Sequence, residues 1–154
     1  MDLQKAALNG FKSAVRVFLK DLEALPEEAY TQRFGPVTRT VADIVYEVNL
    51  VNDDIHKVIK GEETPPWPDD GWIKAPMEFQ AKSDVIAAFE KSTNAIVATI
   101  EGLSTEALEG TVMTEHGESS RYQRCQFMGL HMWYHSGQLN FIQTLLGDDK
   151  WHWE

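Results

Sequence analysis

Cysteine is almost missing from this 154-residue chain. Cys125 stands alone, so no internal disulfide can form and nothing in the cysteine usage points to an oxidising compartment. Positive charge is scarce too. The 14 Lys and Arg residues face 24 Asp and Glu, a formal net charge of -10, which leaves no basic stripe to neutralise a phosphate backbone or hold an anionic membrane surface. No apolar run approaches the roughly 20 residues of a membrane span. The start, Met1-Asp2-Leu3-Gln4-Lys5, leads into an amphipathic pattern rather than the charged-then-apolar layout of a signal peptide. Nucleic-acid and membrane partners are therefore not expected, and a cytoplasmic location is. Internal repeats and convincing strand alternation are also absent.

What is present is helical periodicity in one domain-sized chain, 1–154, with 43% hydrophobic and 25% charged residues. Leu8, Phe11, Val15, Phe18, Leu22 and Leu25 recur at three- and four-residue spacing, which predicts a first helix from Leu3 to Leu25, closed by Pro26. Thr40-x-x-Asp43 resembles a capping box, and Ile44, Val48, Val51, Ile55 and Val58 follow it as the stripe of a second helix that stops at Gly61. Residues 61–80 carry Pro65, Pro66, Pro68 and Pro76 with Trp67 and Trp72, and read as an ordered crossover loop.

Ser83 is the cap candidate of a third helix through Val85, Phe89, Ile96 and Ile100 to about Gly102. A short turn at Ser104-Thr105-Glu106 follows, and 110–120 reads as loop. The last helix runs from about Ser120 to Leu146 and stops at Gly147. Four long helices with one long Pro- and Trp-containing connection between the second and third predict an all-α four-helix bundle.

The chemistry lies on the last helix. At about 100° per residue, His131 and His135 point within about 40° of each other, and Phe127, Met128, Gln138, Ile142 and Leu145 share that face. A neutral imidazole is a favoured ligand for zinc, nickel and iron, and bundle cores assemble such ligands from facing helices. Two hydrogen-bonded core histidines are the alternative this spacing leaves open. A metalloprotease would place Glu directly after the first histidine; Met132 stands there, so that class is excluded.

Glu47 lies at the edge of the second helix's stripe and is the candidate third ligand, because a carboxylate facing inward needs a cation or a hydrogen-bond donor. Its alternative role is an edge glutamate paired with Arg or Lys. Two histidines and a carboxylate leave coordination positions open, as in catalytic zinc and non-haem iron sites. Gln138, one turn beyond His135, is placed to hydrogen-bond a ligand or substrate. His56 and Cys125 fall about 120° off their stripes and are expected on flanks or at the surface. Surface roles are expected for His116 and His152 as well, and the pairs Asp53-Asp54, Asp69-Asp70 and Asp148-Asp149 lack calcium-loop spacing. Trp67, Trp72, Trp151 and Trp153 are expected mostly to cap the core, with a pocket wall or a dimer contact as alternatives.

The run His131-Met132-Trp133-Tyr134-His135-Ser136-Gly137-Gln138-Leu139, continuing to Leu145-Leu146-Gly147, resembles the last helix of the DinB/YfiT-like family of metal-binding bundles. Thr40-Val41-Ala42-Asp43-Ile44-Val45, leading into Glu47, resembles that family's second helix. The resemblance implies a divalent metal held by three histidines, two from the last helix, matched by His131 and His135, and one from the second. That third histidine is absent here and Glu47 takes its place. It further implies a homodimer and, among activities, group transfer with a low-molecular-weight thiol such as bacillithiol or mycothiol on a small-molecule substrate. A metal-dependent hydrolase and a non-catalytic, stress-related scaffold dimer with an altered site are the alternatives.

Overall fold

The computed structural model describes residues 2–68, 71–114 and 117–154. Its elements are helices α1 (Leu3–Ala24), α2 (Val41–Lys60), α3 (Lys82–Glu101), the short α4 (Thr105–Glu109), strands β1 (Thr111–Thr114) and β2 (Gly117–Ser120), and helix α5 (Arg121–Leu145). One-turn 3-10 segments at Glu27–Tyr30 and Met77–Phe79 lie in the connections. The fold is the expected all-α bundle.

Local chemistry explains the helix ends. Asp2 accepts from the Lys5 N–H at the start of α1. Thr40 with Asp43, and Ser120 with Gln123, form reciprocal capping boxes that satisfy the first N–H groups of α2 and α5, each contributing about 1 kcal/mol. Gly61 ends α2 at φ 77°, a left-handed conformation that carries almost no steric cost without a side chain.

α3 departs from expectation, because its N-cap is Ala81 rather than Ser83. The capping acceptor comes from elsewhere in the chain: Glu27 Oε1 receives the Lys82 N–H at 3.1 Å, while Lys82 Nζ donates to the last carbonyls of α1, at Leu25 and Glu23. The segment read as loop at 110–120 is also corrected. β1 and β2 pair antiparallel, Thr111 opposite Ser120 and Thr114 opposite Gly117. Four half-exposed residues per strand are too few to show alternation against a bundle background.

Around the bundle the order is α1, α5, α2, α3, each packed on the next, with α1 and α2 on one diagonal. Asp21 meets Ser136, and Gly10 lies near Gly129, so α1 and α5 run parallel. His56 on α2 meets Thr99 on α3 near the C-terminal ends of both helices, so these two are parallel neighbours as well. This direction explains the long crossover. A 20-residue helix spans about 30 Å, which the chain must travel back before α3 can start beside α2. The returning segment is pinned to the start of α2: the Ala75 N–H donates to Asp43 Oδ1 at 2.9 Å, and Phe79 meets the Tyr46 ring edge-on.

The core contains Phe11, Phe18 and Leu22 of α1, Ile55 and Ile59 of α2, Phe89, Ile96 and Ile100 of α3, and Met128, Met132 and Leu139 of α5. Cys125 belongs to it. It is 1% exposed rather than on a flank, and burial pushes its thiol up to about 11, which makes it inert as a nucleophile. The tryptophans do the opposite of capping the core: Trp67, Trp72 and Trp151 are 45%, 61% and 65% exposed, and Trp153 is half-buried. Among the described residues no helix is long and apolar enough to cross a membrane.

Candidate metal centre

Register between α2 and α5 assembles the site. Arg121, at the first turn of α5, donates from Nε to the Ile59 carbonyl at 2.9 Å, joining the start of α5 to the end of the antiparallel α2. From that anchor, Glu47 is twelve residues back along α2, and His131 and His135 are ten and fourteen residues forward along α5. At 1.5 Å per residue all three lie about 18 Å from the anchor. They face one another.

Glu47 Oε1 is 3.5 Å from His135 Nε2 and 3.8 Å from His131 Nε2, and the two Nε2 atoms are 3.0 Å apart. The ligand-type atoms of these three residues all lie within 4.8 Å of one another, a grouping that could hold a metal ion. Donors on one ion at about 2.0–2.1 Å, in tetrahedral geometry, stand roughly 3.3 Å apart, so the three observed edges bracket the spacing of a shared ion. The donor set fits a divalent transition metal.

The surroundings prepare these atoms. Gln138 Oε1 accepts from His135 Nδ1 at 2.8 Å, which places the ring proton on Nδ1 and leaves the Nε2 lone pair facing the cluster. His135 is 1% exposed and His131 13%, while His131 Nδ1 is buried with no hydrogen-bond partner among the described residues. Phe127 stacks on the His131 ring at 6.0 Å between centroids. Arg39 Nη2 binds Glu47 Oε2 at 2.5 Å, and its guanidinium lies 4.9 Å from the Trp72 ring centre. Burial pushes the Glu47 carboxyl up. The close approach of the His131 and His135 rings and the charge of Arg39 outweigh that and hold it well below the usual carboxylate range.

The histidine pair does not sit mid-stripe. The buried seam of α5 is Cys125, Met128, Met132, His135, Ser136, Leu139 and Ile142, and its axis falls about 90° from His131. Phe127 and Leu145, expected inward, are 41% and 48% exposed. The seam is rotated because α5 packs on α1 as well as α2, and small residues on the α1 side draw that face inward.

Of the other candidates, His56 lies on the flank of α2, where Nε2 is 2.6 Å from Thr99 Oγ1. His152 pairs with Asp148 at 2.9 Å, away from the site. His116 and the Asp69-Asp70 pair lie outside the described residues. Arg39 escaped the sequence reading, since it precedes the Thr40 cap in an irregular segment where no periodicity applies.

Two cavities are lined by side chains that touch the cluster, though not by Glu47, His131 or His135 themselves. One of about 420 Å3 is lined by Arg39, Trp72, Tyr134, Gln138 and Phe141 among others; a second, of about 490 Å3, lies on the Val51, Trp67, Arg124 and Phe127 side.

The sequence model of the DinB superfamily matches residues 11–139, which include all three clustered side chains. The chain belongs to the DinB superfamily. A solved structure, described as the conserved protein of a locus from Enterococcus faecalis, superposes with a TM-score of 0.72 over 96% of this chain and 99% of that one. At 13% identity that likeness shows the fold alone. No match was found among curated proteins. In this chain the last helix supplies two histidines to the cluster and the second helix supplies Glu47.

Proposed function

We propose that Glu47, His131 and His135 hold a divalent transition metal, zinc, nickel or iron, and that the protein is a metal-dependent enzyme transferring a group between a small molecule and a low-molecular-weight thiol. The observation that carries this reading is the convergence of three donor atoms beside two cavities, with the His135 tautomer set by Gln138. An ion held there would polarise a bound substrate group and lower the pKa of a thiol placed on it.

The chain's own residues have separable tasks in this reading. Gln138 holds the Nδ1 proton of His135 and orients the ring. Arg39 occupies Glu47 Oε2, so Oε1 alone is turned toward the histidines. Phe127, stacked on His131, limits how that ring can turn. The two cavities lie on different sides of the cluster, so an electrophile in one and a thiol in the other would have to meet at the three clustered side chains between them. A homodimer is part of the same proposal and is checked by light scattering.

Elemental analysis after reconstitution tests the core of the reading. One ion per chain is expected, lost in His135→Ala; protein that retains no divalent ion under any reconstitution overturns it. Activity screens with and without added thiol separate transfer from a metal-dependent hydrolase.

A second reading has its own support. The 2.5 Å Arg39–Glu47 pair and the 3.0 Å contact between the histidines already satisfy much of the cluster, as a scaffold protein with an altered site would require. It expects Glu47→His, and not the native chain, to bind metal tightly.

A further inference from the structure

The ion pair with Glu47 uses only part of Arg39. Its side chain is 8% exposed, and Nη2 alone serves both Glu47 and the Asp43 carbonyl. Nε and Nη1 are buried with no hydrogen-bond partner among the described residues. Buried N–H groups left unmet keep their desolvation cost uncompensated, so a guanidinium in this state calls for a further acceptor.

The same side chain forms part of the wall of the cavity of about 420 Å3, a volume within the roughly 300–1,000 Å3 range of small-molecule sites. The rest of that wall is largely rings and aliphatic groups, including Phe34, Trp72, Tyr134 and Phe141. The other polar side chains of the wall are Gln138, engaged with His135, Thr38, whose hydroxyl is engaged with Gly35 and Phe34, and the Tyr134 hydroxyl. An apolar chamber with a single cation that has donors to spare selects by chemistry. The charge of Arg39 is already paired with Glu47, so selection rests on its unmet N–H groups: a carboxylate accepts from them with both partners charged, an alcohol accepts as a neutral partner, and an ammonium head cannot accept at all.

We propose that this cavity binds a small organic acid, an aliphatic or aromatic body carrying one carboxylate, with Arg39 receiving the carboxylate and the rings enclosing the body. The proposal deepens the functional reading above by assigning the substrate class, and its placement beside Glu47 and His135 rests on that reading. Arg39 and the cavity themselves do not require the ion.

Titration calorimetry on the full chain, stripped of metal by EDTA, tests this with octanoate, octanol and octylamine, which share one apolar body and differ in the head group. Octanoate is expected to bind at least about 10-fold more tightly than the other two, the size of a charge-assisted contact. Arg39→Met should bring octanoate down to the octanol level. Gly137 lines the same cavity, and a side chain begun there meets no atom within 4 Å, so Gly137→Trp should fill the space and abolish octanoate binding without touching Arg39. Should Arg39→Met fail to fold, Gly137→Trp and the head-group series decide.

Absence of octanoate binding at millimolar concentration overturns the proposal. So does octanol or octylamine binding as tightly as octanoate, or octanoate binding unchanged in the folded variants. Metal analysis is run beside it: head-group selection in a chain that never holds metal sinks the enzyme reading alone, and a metal-loaded chain without selection sinks the organic-acid assignment alone.

Discussion

His135 and Ser136 are neighbours on α5, yet each faces a carboxylate from a different helix, Asp21 buried and Glu47 partly so, and the two clusters have opposite character. Ser136 donates to Asp21 Oδ2 on α1, and Trp153 Nε1 donates to Asp21 Oδ1 at 2.6 Å. Arg16 then takes the Trp153 carbonyl at 2.9 Å, and the Trp153 ring rests on Trp133, so the C-terminal residues are fastened along α1 and α5. Both carboxylate oxygens of Asp21 have donors. Around Glu47, one oxygen is paired with Arg39, while the other is aimed at two imidazole nitrogens that can each present a lone pair. A cluster whose groups all have partners holds the fold together, and a cluster whose acceptors converge has its use in binding something.

Mutations on either side of α5 should break this comparison in different currencies. The largest effect is expected from His135→Ala, which should weaken metal binding more than about 1,000-fold by removing a ligand, against roughly 10- to 100-fold for an outer-shell partner. Competition against a chromogenic chelator measures it, and unfolding of the metal-free variant in urea should shift by about 1–3 kcal/mol, since a buried ring and its bond to Gln138 are lost. Asp21→Ala should do the reverse. Stranding the Trp153 and Ser136 donors is expected to cost about 2–4 kcal/mol of stability, with metal stoichiometry unchanged. If Asp21→Ala empties the site while stability holds, the division between the clusters is wrong.

Gln138→Leu sharpens the comparison within the open cluster. It removes the acceptor of the His135 Nδ1 proton and should weaken metal binding about 10- to 100-fold at nearly constant stability. The smallest effect is in pH. Burial raises the Asp21 carboxyl above its ordinary 3.8, against hydrogen bonds from Ser136, Trp153 and Asn140. A raised folded value means that its contribution is full below pH 3.8, the ordinary value, and is lost as pH rises from there through the higher folded value. Asp21→Asn does not titrate, so the stability difference between it and the native chain should move in the variant's favour from about pH 4 to 7. Urea midpoints across that range, in metal-free protein, should show the drift, and a drift in the opposite direction would contradict the sign.

Asp21 was open to sequence reasoning, because it lies three residues after Phe18 and four before Leu25, a lone carboxylate inside the apolar stripe of α1. Nothing local pointed to its partner, Trp153, which is 132 residues away. The Glu47 site was more legible, since two of its members share one helix face and the third marks the edge of another. Even there, the edge-glutamate pairing and the metal reading both found support, as Arg39 takes one oxygen and the histidines face the other.

The sequence by itself determined what depends on neighbours a few residues apart: the helix stripes, the capping boxes at Thr40 and Ser120, the stop at Gly61, and the common face of His131 and His135. These follow from fixed backbone geometry at 3.6 residues per turn. Tertiary structure alone decided the rest. Glu27 starts α3, Arg39 reaches Glu47, α5 turns its seam away from His131, and Cys125 is buried, because each depends on a register between elements tens of residues apart. That register is set by packing of whole helix faces, and no local spacing encodes it.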